Sequence, residues 1–261
     1  MSAENKKSIF LTFDAEPFWT NIPVRYARST WQRHPCNASA YWSHRFIDYC
    51  EAHSLPATIF IVGKWAEQNI RFVQRVANSP LFQIGSHSQW HEDMSHKDPS
   101  EFLDDIVTSK KVIEDISGKE VVRFRAPSFS LRIEQLQMLE DSGYTIDSSI
   151  CLAQRFYGGR QDVTDIQTHL KLYPMKGAVM GSRQIVLMGG GYLRMIPKAF
   201  LAVLIQRNLG NMVYLHPHDL PLEMTTFKEL KLNENFRKRI RFGNMFEKLD
   251  LLRNHYNIIN F

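Results

Sequence analysis

Short apolar runs in this chain end repeatedly in a titratable residue, and that repetition limits the folds open to it. Residues 8–13 lead into Asp14 and Glu16, and 83–86 lead into His87 and His91. Residues 121–124 lead into Arg125, 144–146 into Asp147, and 212–215 into His216 and His218. The runs are rich in β-branched and aromatic residues and read as strands. The stretches between them read as helices. Leu103, Ile106, Val107, Ile113 and Ile116 recur at helical spacing before Gly118, and Ile133, Leu136 and Leu139 recur before Gly143. Strand–helix alternation predicts a parallel sheet or barrel, in which the C-terminal ends of all strands open onto one rim. Five separated polar segments are therefore expected to converge.

The residue types at these ends suggest a metal. His87-Ser88-Gln89-Trp90-His91 offers two imidazoles four residues apart, and Asp14 and Glu16 offer carboxylates. Two imidazoles and one carboxylate with an open position is a common way to hold a catalytic divalent ion. Such a site makes water a nucleophile near neutral pH. Asp98-Pro99-Ser100-Glu101 reads as a helix start with Pro at the first position, which places the histidines on a loop between a strand and a helix.

The 261 residues contain no Pro/Gly/Ser linker, repeat or low-complexity segment, so the chain reads as one catalytic domain over 1–261. No run is long enough to span a bilayer, and the first apolar stretch is too short for a signal peptide. Cys36, Cys50 and Cys151 are odd in number and widely spaced, which argues for reduced thiols in a cytoplasmic protein. The net charge of +5 includes a cluster at Arg237, Lys238, Arg239 and Arg241, preceded by Lys228 and Lys231. A solvated helix face is the ordinary reading, and phosphate or lipid-headgroup contact the sharper one. No nucleic-acid-binding motif accompanies the charge, so peripheral membrane contact is the most that it implies.

Read together, the segments resemble the polysaccharide deacetylase family, the NodB-type carbohydrate esterases. Leu11-Thr12-Phe13-Asp14-Ala15-Glu16 resembles the family's first motif. Ala57-Thr58-Ile59-Phe60-Ile61-Val62-Gly63 resembles its second strand, and Ile84-Gly85-Ser86-His87-Ser88-Gln89-Trp90-His91 its metal motif. Phe124-Arg125-Ala126-Pro127-Ser128-Phe129-Ser130 resembles its arginine motif. Gly143-Tyr144-Thr145-Ile146-Asp147-Ser148-Ser149-Ile150 and Tyr214-Leu215-His216-Pro217-His218 complete the set. Gly189-Gly190-Gly191-Tyr192-Leu193-Arg194 resembles a bacterial branch linked to exopolysaccharide and surface-glycan synthesis. One departure stands out. The family has two adjacent aspartates, a base and then a ligand, where this chain has Ala15 and then Glu16.

The resemblance implies an α/β fold, a distorted (β/α) barrel of about seven strands. It also implies a divalent metal, zinc above all, and hydrolysis of an N-acetyl group on an amino sugar during surface polysaccharide biosynthesis (O-antigen, lipopolysaccharide or exopolysaccharide), on a substrate that could be phosphate- or lipid-linked. His87 and His91 become metal ligands. Either Glu16 is the third ligand and Asp14 the base, which is favoured, or Asp14 binds the metal. Arg125 pairs with Asp14 and aims it, and His216 protonates the leaving amine. Asp147 either orients His216 or caps a turn with Ser148. His218 competes with His216 for the acid role, though its spacing points it elsewhere, and His96 reads as a loop residue. Pro127, Gly190 and Tyr192 are substrate-binding candidates. The glycine run suggests a tight backbone approach beneath a sugar, and Tyr192, Trp19 and Trp90 are candidates for stacking on one. The rival readings are a deformylase or cyclic-amide amidohydrolase with the same site, and a catalytically inactive glycan-binding member.

Overall fold

The structure, a computed structural model, describes residues 6–18, 37–153, 163–180, 183–207, 209–221 and 242–261. Strand β1 (Ser8–Ala15) is followed by helix α1 (Asn37–Ala52), β2 (Ala57–Ile61), α2 (Gly63–Gln68), α3 (Ile70–Asn78) and β3 (Phe82–Ser86). Then come α4 (Pro99–Ser117), β4 (Arg123–Phe124), α5 (Leu136–Asp141), β5 (Ile146–Asp147) and β6 (Lys171–Leu172). A small antiparallel pair, β7 (Ala178–Met180) and β8 (Arg183–Ile185), precedes α6 (Gly190–Leu193), α7 (Lys198–Leu204), β9 (Met212–Leu215), α8 (Met245–His255) and β10 (Asn257–Ile259).

Seven strands in the order β9-β1-β2-β3-β4-β5-β6 run parallel and curl into the expected distorted barrel. β10 adds to the N-terminal half of β1. Successive strand residues face opposite sides of a sheet, and this two-residue period sorts the chain. Ile9, Leu11, Phe13 and Ala15 of β1 lie in the core between sheet and helices, where Phe13 stacks on Phe46 of α1 at 4.3 Å. Thr12 and Asp14 face the barrel interior, where both meet the Arg125 guanidinium. In β9, Val213 and Leu215 join the outer core while Met212 turns inward to Arg125. Each fully buried aliphatic or aromatic side chain of that outer core contributes about 1.5–3 kcal/mol.

Helix α4 begins as its sequence predicts. Asp98 accepts from the N–H groups of Ser100 and Glu101, Pro99 is the first helical residue, and Gly118 closes the helix at φ 64°. Its buried face differs from the apolar pattern, because Leu103 and Val107 are exposed while Asp105 and Ser109 are buried beside Phe102, Ile106 and Ile113. Buried polar groups must find partners, and these do. Asp105 accepts from Gln89 N–H at 2.6 Å and pairs with Lys97 at 3.3 Å, and the Ser109 hydroxyl meets that of Ser86 at 2.7 Å. The helix thus turns its polar stripe to the loop that follows β3. Among the described residues, no helix is long and apolar enough to cross a membrane.

Candidate metal and acid–base site

Asp14 lies inside β1, one residue before its end, and Glu16 follows it. The Asp-Ala-Glu spacing keeps both carboxylates on the inner face and sends Ala15 into the outer core. Both acids are almost fully buried. His87 directly follows β3, and its Nε2 lies 3.7 Å from Glu16 Oε2 and 3.8 Å from Asp14 Oδ2. His87 Nδ1 is 2.7 Å from the Arg125 carbonyl oxygen. A carbonyl only accepts, so Nδ1 carries the proton and Nε2 turns its lone pair toward the acids.

The loop bringing His91 back has two left-handed residues, Ser88 (φ 66°) and His91 (φ 58°). Such non-glycine conformations cost about 1–3 kcal/mol each and persist where the surroundings impose them. Here the Ser88 hydroxyl accepts from His91 N–H, Asp105 from Gln89 N–H, and the Ser88 and Gln89 carbonyls from Gly63 and Lys64 at the start of α2. His91 Nε2 ends 2.6 Å from Glu16 Oε2. Glu16, His87 and His91 each offer a ligand atom, all within 4.8 Å of one another. Burial opposes charge on Glu16, but the adjacent His91 and His216 charges and imidazole hydrogen bonds hold its carboxyl well below the usual range. An ionised carboxylate with two imidazoles, one fixed in orientation by a backbone carbonyl, fits a borderline divalent cation.

Arg125 is fully buried with its guanidinium 4.2 Å from the centre of the Phe60 ring. Its Nη1 donates to Asp14 Oδ1 at 2.8 Å and to Thr12 Oγ1 at 2.9 Å, and its Nη2 donates to Ser148 Oγ at 3.0 Å. The expected Arg125–Asp14 pair therefore forms, and it leaves Asp14 Oδ2 turned to His87 and to His216, each 3.8 Å away.

On the far wall His216 Nδ1 donates to Asp219 Oδ2 at 2.8 Å, so its Nε2 faces Asp14. Burial alone would lower its pKa. The charge of Glu16, the Asp219 hydrogen bond and the charges of Asp219 and Asp14 overcome this and raise it to about 9. His218 stacks on His216 at 4.7 Å with Nδ1 3.8 Å from Glu16 Oε1. It thus joins the site, contrary to its expected orientation, because the short 3-10 turn Pro217–Asp219 folds the chain back over the barrel mouth. Burial lowers its pKa to about 3.

Two further expectations need correction, and one residue is added to the site. Asp147 does not orient His216. It is in register with Phe124, whose ring lies in the outer core, so its side chain leaves the sheet on the outer face. There it accepts from Ser149 N–H at 2.9 Å and Ser149 Oγ at 2.6 Å, with its carboxyl raised to about 6 by burial. It therefore secures a turn, with Ser149 in place of Ser148, and Ser148 is the inward residue that meets Arg125. Secondly, the close approach of the glycine run is to protein. A Cβ at Gly190 would fall 1.9 Å from Asp219 Oδ2, and one at Gly189 would fall 2.5 Å from the Tyr214 ring. Gly190 thus seats Asp219, not a sugar. The added residue is Asp219, which the sequence reading did not single out. Its signal was Pro217 opening a turn and an acid three residues after His216, which reaches back to accept from His216 N–H at 3.0 Å.

Among the other candidates, Pro127 is buried in the turn after Arg125, Tyr192 is exposed, and Trp90 is half-buried with the Lys64 ammonium over its ring. His96 is exposed in a 3-10 turn. Cys50 and Cys151 are buried, and burial pushes the Cys50 thiol upward, as suits an unreactive side chain. Trp19, Cys36 and the basic residues Lys228, Lys231, Arg237, Lys238, Arg239 and Arg241 lie outside the described residues.

Residues 148–260 match a family described as a domain of unknown function. The chain is 24% identical over 142 residues to a peptidoglycan-N-acetylglucosamine deacetylase of Bacillus cereus, covering 54% of this chain and 44% of that one. It is 22% identical over 122 residues to a chitooligosaccharide deacetylase of a Bradyrhizobium species, covering 46% of each. It thus spans less than half the length of these two curated relatives. A solved CE4 family pseudoenzyme from Bacillus anthracis superposes with a TM-score of 0.55 at 17% identity, over 98% of this chain and 64% of that one. A solved peptidoglycan N-acetylglucosamine deacetylase gives 0.52 at 13% identity, over 99% and 87%. The polysaccharide deacetylase model matches residues 2–146, a span that holds the acidic, histidine and arginine segments converging at the barrel mouth, and the chain belongs to that family.

Proposed function

We propose that this protein is a zinc-dependent hydrolase that removes the N-acetyl group from an amino sugar in surface polysaccharide biosynthesis. The observation that carries the reading is the placement of Glu16, His87 and His91 within 4.8 Å of one another beside an Asp14 held by Arg125. The sugar class is supported by the relatives, named for peptidoglycan N-acetylglucosamine and chitooligosaccharide. The surface-glycan role is supported by the resemblance of the Gly189-Gly190-Gly191-Tyr192-Leu193-Arg194 segment.

In this reading Glu16, His87 and His91 hold the cation. When bound, the cation polarises the amide carbonyl and makes a water nucleophilic near neutral pH. Arg125 fixes one oxygen of Asp14 and leaves Oδ2 to accept the proton of the attacking water. The water oxygen bonds to the carbonyl carbon, and the C–N bond then breaks. A bare amide anion is a very poor leaving group, so nitrogen needs a proton as it departs. His216 Nε2, across the site from Asp14, supplies it. Acetate and the free amino sugar are the products.

A second reading, an inactive glycan-binding member, is favoured by the Ala15 departure and by the likeness to a pseudoenzyme. Metal analysis of wild type and His87→Ala, together with acetate release from nucleotide-linked, lipid-linked and oligomeric N-acetyl sugars, separates the two. The main reading expects one metal per chain, lost in His87→Ala, and acetate from at least one substrate. Equal metal in both proteins refutes the site, and glycan binding without acetate release supports the second reading.

A further inference from the structure

The boundary between the two matched families falls at residues 146–148, and the strands cross it. Ile146 and Asp147 pair with Lys171 and Leu172, and Phe10–Phe13 pair with Met212–Leu215. The N-terminal part supplies Asp14, Glu16, His87, His91 and Arg125. The wall opposite comes from the C-terminal part, and it is built around Asp219.

The Asp219 side chain is fully enclosed. One carboxylate oxygen accepts from both His216 Nδ1 (2.8 Å) and His216 N–H (3.0 Å), and the other accepts from Arg194 Nη1 at 3.2 Å. Gly190 lies against the carboxylate so closely that no side chain fits there. The segment bearing Gly190 and Arg194 is anchored in turn. The buried Lys248 ammonium of α8 donates to the Leu193 carbonyl at 2.7 Å and to that of Arg194 at 3.3 Å, and Phe242 N–H donates to the Arg194 carbonyl at 2.7 Å. A fixed carboxylate on Nδ1 sets the ring orientation, keeps the proton on Nδ1 and stabilises the imidazolium, whose Nε2 proton then points in one direction.

We infer that residues 148–260, the region of unassigned function, form the acid-bearing half of one active site, in which Asp219, seated by Gly190 and Arg194, is the positioning residue that aims His216. This rests on the N-deacetylase reading above. Asp219 takes no proton itself. It keeps the Nδ1 proton on His216, and the Nε2 proton goes to the leaving nitrogen.

The test uses the full-length, metal-loaded protein. Asp219→Asn keeps the shape and removes the charge. Turnover of an N-acetyl sugar is expected to fall roughly a hundredfold, in the range for loss of a positioned acid. KM and metal content should change little, and hydrolysis of an activated aryl acetate, whose leaving group needs no proton, should fall several-fold at most. Gly190→Ala should shift the ratio of the two activities in the same direction. An equal fall on both substrates, or no fall on either, overturns the proposal. If wild type turns over no N-acetyl sugar, the deacetylase reading fails by itself, and NMR of 15N-histidine-labelled metal-free protein then decides the positioning role. Besides the His87 Nδ1 proton held by the Arg125 carbonyl, a second imidazole Nδ1 proton should be hydrogen-bonded and protected from exchange, and this second one should be lost in both Asp219→Ala and His216→Ala. Persistence of that signal in Asp219→Ala overturns the assignment.

Discussion

Replacing Arg125 by methionine isolates what this buried cation does. Methionine keeps an unbranched stem against the Phe60 ring but removes the donors that reach Asp14, Thr12 and Ser148. Asp14 is 2% exposed, so solvent compensates poorly for the lost partner. Leaving one member of a buried ion pair uncompensated costs about 3–5 kcal/mol. Thr12 is hurt less, because its hydroxyl still donates to the Val213 carbonyl at 3.1 Å. A loss of that size stays below the stability of most single domains, about 5–15 kcal/mol, so the variant is expected to fold. Urea unfolding of metal-free protein measures it. Arg125→Met alone should lose about 3–5 kcal/mol. The double variant Arg125→Met with Asp14→Asn should lose less than the sum of the singles by about 0.5–3 kcal/mol, the usual coupling for residues in contact. Turnover by Arg125→Met should fall roughly a hundredfold or more, since the proton acceptor is no longer aimed. A stability loss below about 1 kcal/mol, or strict additivity in the double variant, refutes the argument that Asp14 depends on Arg125.

Asp14→Asn should abolish turnover and keep the metal, while Glu16→Gln should weaken metal binding; the reverse pattern in metal analysis and kinetics would exchange the two roles. In metal-free protein His216 should titrate near 9, so its protonated form stabilises the fold fully below its ordinary value and that contribution disappears as pH rises through about 9. Metal at Glu16 neutralises the first of the charges raising that value, so an NMR titration should move downward on metal addition; a metal-free value at or below 6.5 contradicts the placement. Asp147→Asn should leave turnover within a few-fold of wild type. Because burial raises the Asp147 carboxyl to about 6, the variant should gain stability relative to wild type as pH rises from 4 through 6, and a hundredfold loss of turnover would return Asp147 to the catalytic apparatus.

Much of this was fixed locally. Runs of β-branched and aromatic residues separated by helical stretches dictate parallel strands, and parallel strands place their C-terminal ends on one rim. Asp14, Glu16, His87, His91, Arg125 and His216 could therefore be gathered from sequence before any distance was known. The period of two even assigns Ala15 outward and both acids inward, so the Asp-Ala-Glu departure keeps the geometry of a shared site. Register between strands is a different matter. Asp147 sits as close in sequence to a strand end as Arg125 does, yet pairing with Phe124 turns it outward and gives the inward place to Ser148. Only long-range packing could decide that, because a slip of one residue exchanges the two faces. The same holds for α4, where Asp105 and Ser109 displace Leu103 and Val107 from the buried face because they have hydrogen-bond partners more than a dozen residues away. It holds again for Asp219, whose partner His216 is three residues off but whose seat is made by Gly190 and Arg194 from another segment. Period and composition are local properties of the chain, whereas the partner that satisfies a buried polar group is supplied by the fold.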